Sequence, residues 1–304
     1  MTGAGIALVT VTHNSCEDVE RLLASAARHL PGAAGVVVDS GSVDASVAAA
    51  RSHVGVRVVE LGQNLGFGRA TNAGLAQVTE PVSVLLNPDV ELLDSSLAAL
   101  SAELMRPDAP DRLLGPEVLR PGGDREDSAQ LRPTSAAAAL GAVLPPAVLP
   151  GPLRERVEPW RASGPRRVDW LVGCCLAGRT DTLRRLGPFD ERIFLYAEDL
   201  ELGLRAGALG VQSWFWPAAR LLHHGQHSTH AALGGEPFEL KARQRRAVVH
   251  ERLGPGRGRL DDRLQMTTFA GRAALKRLLR RPADRELRQL AALRAVRREQ
   301  PSLG

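Results

Sequence analysis

The stretch IALVTVTHN, residues 6–14, decides the fold class of this chain. Its first six positions are apolar or β-branched and carry no charge, and its last three are polar. A short uncharged run that ends in polar residues is typical of a strand buried on both faces of a sheet. Further runs of this kind occupy residues 35–38, 56–60 and 82–86.

Helical patterns separate these runs, near residues 16–29, 43–51, 66–78 and 93–105. The alternation of strands and helices predicts an α/β fold, with a mostly parallel central sheet flanked by helices. Ligands of such folds bind beyond the carboxyl ends of the strands. Polar clusters follow three of the predicted strands, at residues 12–14, 39–42 and 87–89.

The second half of the chain has weaker patterns. Residues 106–168 are rich in proline, glycine and arginine, and we interpret them as a long, partly irregular excursion over the active-site edge. Regular patterns return near residue 168, and the region after residue 240 is predicted to be helical. The elements expected between these points are helices near 180–187 and 198–209 and a strand near 213–216.

Charge divides the chain into an acidic body and a basic tail. The net charge is +5, yet residues 241–304 alone contain 18 basic and 6 acidic residues. Leucines accompany the arginines of residues 263–281, which predicts a basic amphipathic helix lying on an anionic membrane surface. A solvated extension or a contact within a homodimer is the alternative. Nucleic acid is not expected as a partner, because the tail lacks a pattern of interleaved aromatic residues.

The cysteines and the apolar runs bear on the compartment. The chain has three cysteines, two of them adjacent, which make no even disulfide framework. It has no signal-peptide pattern and no apolar run long enough to span a membrane. Together with the basic tail, these features predict a cytoplasmic protein that is peripheral on the inner face of the cell membrane.

Three segments of the N-terminal half carry groups suited to nucleotide binding. Asp39, at a strand end, can accept a hydrogen bond from the imide of a uracil or thymine ring, or can form an Asx turn instead. The glycine-rich segment 64–74 either directs backbone N–H groups and Arg69 at a diphosphate or is a plain loop. Asp89 is a candidate ligand of Mg²⁺ or Mn²⁺, and its alternative role is that of an ordinary turn residue.

Two segments of the C-terminal half carry acid–base groups. Residues 189–201 hold five carboxylates among large apolar residues, and Glu198 and Asp199 begin a predicted helix whose dipole would by itself favour anions. The aromatic surroundings suit a partly desolvated general base instead. Four histidines among residues 223–230 suit a divalent metal or a phosphate, whereas the spacing of a zinc site is missing.

These elements, taken in order, resemble the family 2 inverting glycosyltransferases with the GT-A fold. Within that family the chain is most similar to actinobacterial rhamnosyltransferases that build a cell-wall linker. The residues that carry the family resemblance are VTHN at 11–14, VDSGSVD at 38–44, NLGF at 64–67, NAG at 72–74, NPD at 87–89, FDE at 189–191, ED at 198–199 and His223. Those that carry the closer likeness are WLVGCCL at 170–176, YAED at 196–199 and LHHGQHST at 222–229.

The resemblance implies a domain organisation and a role for each matching position. A GT-A catalytic domain would span residues 1–240, with a nucleotide-sugar half at about 1–105 and an acceptor half at about 168–230, and a basic helical region would follow at 241–304. Asp199 would be the catalytic base, and Asp89 and His223 would hold Mn²⁺ or Mg²⁺. Nucleotide contacts would fall to Thr12, Asn14, Asp39, Ser42, Asn64, Gly66, Phe67, Arg69, Asn72 and Asn87, and acceptor contacts to Trp170, Gly173, Tyr196 and Glu198.

The reaction implied is the transfer of L-rhamnose from a nucleotide-sugar donor, dTDP-rhamnose, to N-acetylglucosaminyl-diphospho-polyprenol in one inverting displacement. The alternative is a transferase of the same fold that uses UDP-galactofuranose or UDP-N-acetylglucosamine for a capsule, exopolysaccharide or natural-product acceptor. The sequence departs from the family pattern at His13, Glu201 and residues 177–179. The first need not disturb a backbone contact to the base, whereas the last two leave the acceptor and the donor sugar open. A nucleotidyltransferase is less well supported, because residues 12–15 lack its glycine-rich basic signature.

Overall fold

The computed structural model describes residues 3–225 and 236–303. Four parallel strands form one half of its central sheet, in the order β3-β2-β1-β4. Thr12 lies opposite Asp39 in the register, so the carboxyl ends of β1 and β2 meet at the same edge. The bounds are β1 Ile6–Thr12, β2 Ala34–Asp39, β3 Val56–Glu60 and β4 Val82–Leu86, connected through α1 Cys16–His29, α2 Ser46–Ser52 and α3 Phe67–Ala76.

The other half of the sheet mixes parallel and antiparallel strands. It continues from β4 in the order β10-β6-β11-β5, with β8 paired to β11. These strands are β5 Val90–Leu92, β6 Arg112–Leu119, β8 Arg166–Val168, β10 Cys175–Arg179 and β11 Gln212–His223. A separate pair consists of β7 Ala129–Gln130 and β9 Trp170–Leu171.

Helices cover both faces of this sheet, so its central strands β1 and β4 need apolar residues on both of their sides. In β1, Ile6 and Leu8 pack into one buried cluster, whereas Ala7 and Val9 pack into another. That double burial explains the continuous apolar run from which the strand was predicted. The predicted α/β fold, with a central sheet flanked by helices, is confirmed.

One prediction about the second half is wrong. We interpreted residues 106–168 as a long, partly irregular excursion over the active-site edge, yet β6 lies inside the sheet between β10 and β11 and is buried over most of its length. Gly115 and Pro116 break its apolar pattern in the sequence. Gly115 is required by packing, because a Cβ there would lie 2.6 Å from Leu171 Cδ2.

The described helices of the second half include those predicted near 180–187 and 198–209, and the chain after residue 240 is helical. Arg252 forms an ion pair with the buried Glu201, which joins the tail to the body. No helix in the described ranges is both long and apolar enough to cross a membrane. The helices are α4 Leu97–Leu104, α5 Ala136–Val143, α6 Gly151–Val157, α7 Thr180–Leu186, α8 Glu198–Ala208, α9 Phe238–Leu253, α10 Pro255–Leu278 and α11 Asp284–Val296.

Candidate active site

A cavity of about 310 Å³ opens beyond the carboxyl ends of β1 and β4. Both halves of the chain contribute to its wall. Ten of the predicted site residues line it: Asn64, Gly66, Phe67, Asn87, Asp89, Gly173, Tyr196, Glu198, Asp199 and His223.

Asp89 and His223 meet on one side of this cavity. Asp89 follows β4, and His223 ends β11, which pairs with β5 just after Asp89. Asp89 Oδ1 and His223 Nε2 lie 3.2 Å apart, both are buried, and neither has a hydrogen-bond partner among the described residues. On the far side of the ring, His223 Nδ1 lies 2.8 Å from Glu126 Oε2. The imidazole is therefore held between two carboxylates.

These atoms fit a divalent cation. Oxygen and imidazole nitrogen are ligands of Mn²⁺, and Mg²⁺ commonly takes one or two protein ligands and completes its shell with phosphates and water. Within the described residues no group of three or more histidine, cysteine, aspartate or glutamate side chains could hold a metal by itself. Burial lowers the pKa of His223, but the two carboxylates outweigh burial and raise it to about 10. The two carboxylates thus favour a positive charge beside Asp89, which either a proton on His223 or a divalent cation would supply.

Glu198 and Asp199 begin α8 at the wall of the same cavity. Gly173 N–H donates to Asp199 Oδ2 over 3.0 Å, and Leu200 N–H donates to Asp199 Oδ1 over 2.7 Å. Glu198 is 8% exposed, and its Oε2 has no hydrogen-bond partner in the described chain. The two N–H groups therefore stabilise Asp199 as an anion, whereas Glu198 Oε2 has no such donor.

The environments of Asp199 and Glu198 shift the pKa values of the two carboxyl groups differently. Burial raises the pKa of Asp199, while the N–H groups of Gly173 and Leu200 oppose that rise. Burial, followed by the charge of Asp199, raises the pKa of Glu198 to about 8. Asp199 is consequently the member of the pair that ionises first, with a proton affinity above that of an ordinary aspartate. That combination suits a general base.

The backbone before α8 is held in an unusual conformation. Tyr196 and Ala197 have φ values of 68° and 66°, in the left-handed region that non-glycine residues rarely adopt. Lys241 Nζ lies 4.8 Å from the centre of the Tyr196 ring, so α9 covers this turn with a cation–π contact. Two strained residues in succession fix the point at which Glu198 and Asp199 enter the cavity.

The predicted base-binding residues surround the loop after β2 and do not line the cavity. Asp39 is 3% exposed, and its carboxylate accepts hydrogen bonds from the N–H groups of Gly41 and Ser42. Asn14 N–H donates to Ser42 Oγ, and Thr12 Oγ1 lies 2.8 Å from Ser15 Oγ. The Asx turn that we considered for Asp39 is present, and the residues of these loops that line the cavity are His13, Ser15 and Ser40.

Three predicted contacts lie away from the cavity. Asn72 bonds both backbone groups of Phe189, and Arg69 Nε donates to the carbonyl oxygen of Glu191, because this side of α3 faces residues 189–191. Trp170 Nε1 donates to the carbonyl oxygen of Leu131, next to a different crevice. Any part they take in substrate binding would be indirect, through the loops they support.

Sequence reasoning missed Glu126. It lies in the segment expected to be partly irregular, where neither hydrophobic periodicity nor a sequence motif indicates a functional residue. Only the folded chain brings it next to His223. His224, by contrast, lies 2.8 Å from Glu91 through Nε2 and does not line the cavity. The remaining histidines of the predicted cluster, His227 and His230, lie outside the described residues.

Comparison with known proteins identifies the fold and its family. The profile of glycosyl transferase family 2 matches residues 7–112. An N-acetylglucosaminyl-diphospho-decaprenol L-rhamnosyltransferase of Mycobacterium tuberculosis is 35% identical over 241 residues, which are 73% of this chain and 76% of that protein.

Solved structures agree on the GT-A fold. A mannosyltransferase from Pyrobaculum calidifontis, in complex with GDP-Man and Mn²⁺, superposes with a TM-score of 0.60 at 16% identity, over 96% of this chain and 85% of that one. GalNAc-T7 with UDP, GalNAc and Mn²⁺ gives 0.58 at 17% identity, over 81% of this chain and 47% of that one. The chain belongs to glycosyltransferase family 2.

Proposed function

We propose, with membership of glycosyltransferase family 2 as the premise, that this chain transfers L-rhamnose from dTDP-rhamnose to a polyprenyl-linked N-acetylglucosaminyl diphosphate, with inversion. The similarity to the mycobacterial L-rhamnosyltransferase supports this donor and acceptor. The observation that carries the chemistry is the Asp199 carboxylate, held by Gly173 in the same cavity as Asp89 Oδ1 and His223 Nε2, which form an ion pair over 3.2 Å but no hydrogen bond among the described residues.

Asp199 is the proposed base. The acceptor hydroxyl donates its hydrogen bond to the Asp199 carboxylate, and its oxygen forms a bond to the anomeric carbon of the donor. The bond from that carbon to the diphosphate oxygen breaks, and the proton of the hydroxyl passes to Asp199. A base placed in this way contributes typically about 10²–10⁴-fold to the rate. Because a single displacement takes place, the configuration at the anomeric carbon inverts.

Asp89 and His223 are the proposed ligands of a divalent cation, Mn²⁺ or Mg²⁺. When bound, such an ion would supply positive charge that stabilises the leaving diphosphate. Glu126 would fix the orientation of the His223 ring, as carboxylates behind metal-bound histidines commonly do. That structural relatives were solved with Mn²⁺ supports the metal class.

The remaining roles follow from placement. Asn64, Gly66, Phe67 and Asn87 would contact the nucleotide directly, whereas Thr12, Asn14, Asp39 and Ser42 would shape the loops around the base. Gly173, Tyr196 and Glu198 would border the acceptor. In this proposal the catalytic domain ends near residue 240, and helices α9 to α11 bring it to the anionic inner face of the cell membrane, where a polyprenyl-linked acceptor is held.

The test is a transfer assay on the purified chain. It would be supplied with dTDP-rhamnose, a short-chain polyprenyl-diphospho-N-acetylglucosamine, and Mn²⁺, Mg²⁺ or a chelator. We expect a product heavier by one deoxyhexose, inverted at the anomeric carbon by NMR, and no product with the chelator. A kcat/KM as high with UDP-galactofuranose or UDP-N-acetylglucosamine would overturn the donor assignment, and undiminished turnover with the chelator would overturn the metal.

A further inference from the structure

An uncharged segment lies on the surface of the body. Residues 133–153 contain no ionisable side chain and include α5, whose sequence is AAAALGAV. Soluble helices normally place an apolar stripe inward and polar residues outward. In α5 only Ala142 is buried, Ala136 and Val143 are exposed and the other residues are half-buried, so this helix leaves apolar residues at the surface where it does not pack against its neighbours.

The largest of these side chains are also among the most exposed. Val143 is 66% exposed, Leu144 42% and Val148 70%. They lie within six residues of one another, at the end of α5 and in the turn that follows. Scattered exposed apolar residues need no explanation, but a contiguous group of them marks an interaction surface.

A basic helix packs directly against this segment. Between α5 and α10 there is a crevice of about 170 Å³, to which α5 contributes Ala138 and Gly141 and α10 contributes Thr268 and Arg272. Seven arginines on α10 and just after it are exposed, and none of them forms an ion pair within the described residues. They are Arg257, Arg259, Arg263, Arg272, Arg277, Arg280 and Arg281.

The acidic residues after residue 240 do not neutralise these seven arginines. Five of the six acidic residues after residue 240 are bonded to other basic residues: Glu251, Asp261, Asp262, Glu286 and Glu299. Lys276 is one of those partners, since it bonds Glu286. The seven arginines therefore remain available to anions outside the chain.

We propose that residues 136–149, with α5 at their start, insert among the headgroups and outer acyl chains of an anionic bilayer, while the arginines of α10 bind the lipid phosphates beside them. An apolar element next to unpaired cations is the composition of an interfacial membrane anchor. A second copy of the chain fits less well, because a two-fold contact through this face would bring the same unpaired arginines together. The inference rests on the proposed function for its setting, since a lipid-linked acceptor is presented at such a surface.

The experiment is co-sedimentation with vesicles of phosphatidylcholine and phosphatidylglycerol in a 3:1 ratio. A Val143→Ser/Val148→Ser variant should partition about tenfold more weakly than the wild type, because two apolar side chains no longer leave water. The matched control is Val54→Ser/Leu209→Ser, which changes two exposed apolar residues elsewhere on the chain, Val54 at 103% and Leu209 at 63% exposure, and should bind as the wild type does. Melting temperatures establish that both variants fold.

Equal vesicle binding by the wild type and the Val143→Ser/Val148→Ser variant would overturn the inference. So would a wild-type dimer in sedimentation velocity that this variant abolishes while vesicle binding stays unchanged, because a second copy would then occupy the surface. Turnover on a water-soluble acceptor analogue is measured in parallel. If vesicle binding depends on Val143 and Val148 but no rhamnose is transferred, only the proposed function is contradicted. If rhamnose is transferred but vesicle binding does not depend on these valines, only the membrane insertion is contradicted.

Discussion

Two regions of the cavity differ in how their polar groups are satisfied. In the nucleotide loops, residues 12–14, 39–42 and 64–72, polar side chains bond to the protein itself, as Asp39 does to Gly41 and Ser42 and Asn64 does to Gly66. The reactive wall, which we define as Asp89, Glu126, Tyr196, Glu198, Asp199 and His223, is different. Of eleven buried side-chain atoms without a hydrogen-bond partner in the described chain, four belong to this wall.

The difference separates two uses of polar residues. A buried polar atom without a partner costs free energy, so it is found where a ligand, an ion or a proton supplies the missing interaction. A polar side chain bonded to neighbouring backbone holds a loop in shape instead. Changes in the reactive wall should therefore alter catalysis or ion binding at little cost in stability, whereas changes in the nucleotide loops should do the reverse.

The largest effect expected is that of Asp199→Asn. Turnover should fall by about 10²–10⁴-fold, because the amide cannot take the proton of the acceptor hydroxyl. Nucleotide affinity, measured by calorimetry, and the melting temperature should change little. Asp190→Asn serves as the control, since that carboxylate is bonded to Arg192 and does not line the cavity. Near wild-type turnover for Asp199→Asn would remove the distinction between the two regions.

Glu126→Gln should have the next largest effect. Loss of the carboxylate behind His223 should weaken Mn²⁺ binding by about 10–100-fold, measured by electron paramagnetic resonance with dTDP present and no acceptor. Glu91→Gln is the matched control, because Glu91 bonds the adjacent His224 outside the cavity. If both variants bind Mn²⁺ equally well, Glu126 does not position a metal ligand.

Asn72→Ala tests the other side of the comparison. The change removes two hydrogen bonds to the backbone of Phe189 and should lower the free energy of unfolding by about 1–3 kcal/mol. The rate of transfer below the melting temperature should stay within a few-fold of the wild type. Gln77→Ala, an exposed position at the end of the same helix, should leave stability unchanged. A large loss of turnover with full stability would place Asn72 in the catalytic machinery.

The smallest effect expected, counted per pH unit, is on the pH dependence of stability in Glu198→Gln. The pKa of Glu198 is raised to about 8, by burial first and then by the charge of Asp199. Between its unfolded pKa, about 4.3, and that value the folded chain keeps a proton that the unfolded chain has lost. Stability should consequently fall as pH rises, by at most about 1.4 kcal/mol per pH unit. Urea unfolding from pH 5 to 8 should give a flatter slope for the variant, and an unchanged slope would contradict the buried, unpartnered carboxyl.

The sequence predicted the fold well where one element obeys one pattern. The bounds of α1 and of the strands at 56–60 and 82–86 agree with the structure. The first is a single helical stripe, the strand at 82–86 is buried throughout, and the strand at 56–60 is a short β-branched run whose valines are half-buried. The pattern did not predict β6, because Gly115 and Pro116 interrupt its apolar run. Gly115 is set by the packing of this strand against Leu171, a residue of another element. Packing constraints of this kind come from residues that are distant in the sequence, so they produce no hydrophobic periodicity within the strand itself.

The same division applies to the candidate site. Asp89, Asp199 and His223 were predicted as site residues and lie at one cavity, because each is at or near the end or the start of a regular element. Spacing could not tell which side chains of α3 face the cavity, so Arg69 and Asn72 were placed at the nucleotide although they bond the segment 189–191. Glu126 was missed because nothing near it in the sequence marks a contact with His223.

The contact between α3 and the segment before α8 bears on how such enzymes could be recombined. Phe67 N–H donates to the carbonyl oxygen of Phe194, and a Cβ at Gly66 would lie 2.4 Å from that same oxygen. A chimera that exchanged the first 105 residues for those of a relative would separate partners that fit only each other. We therefore expect that an exchange of the proposed nucleotide-sugar half has to carry residues 64–72 and 189–196 together.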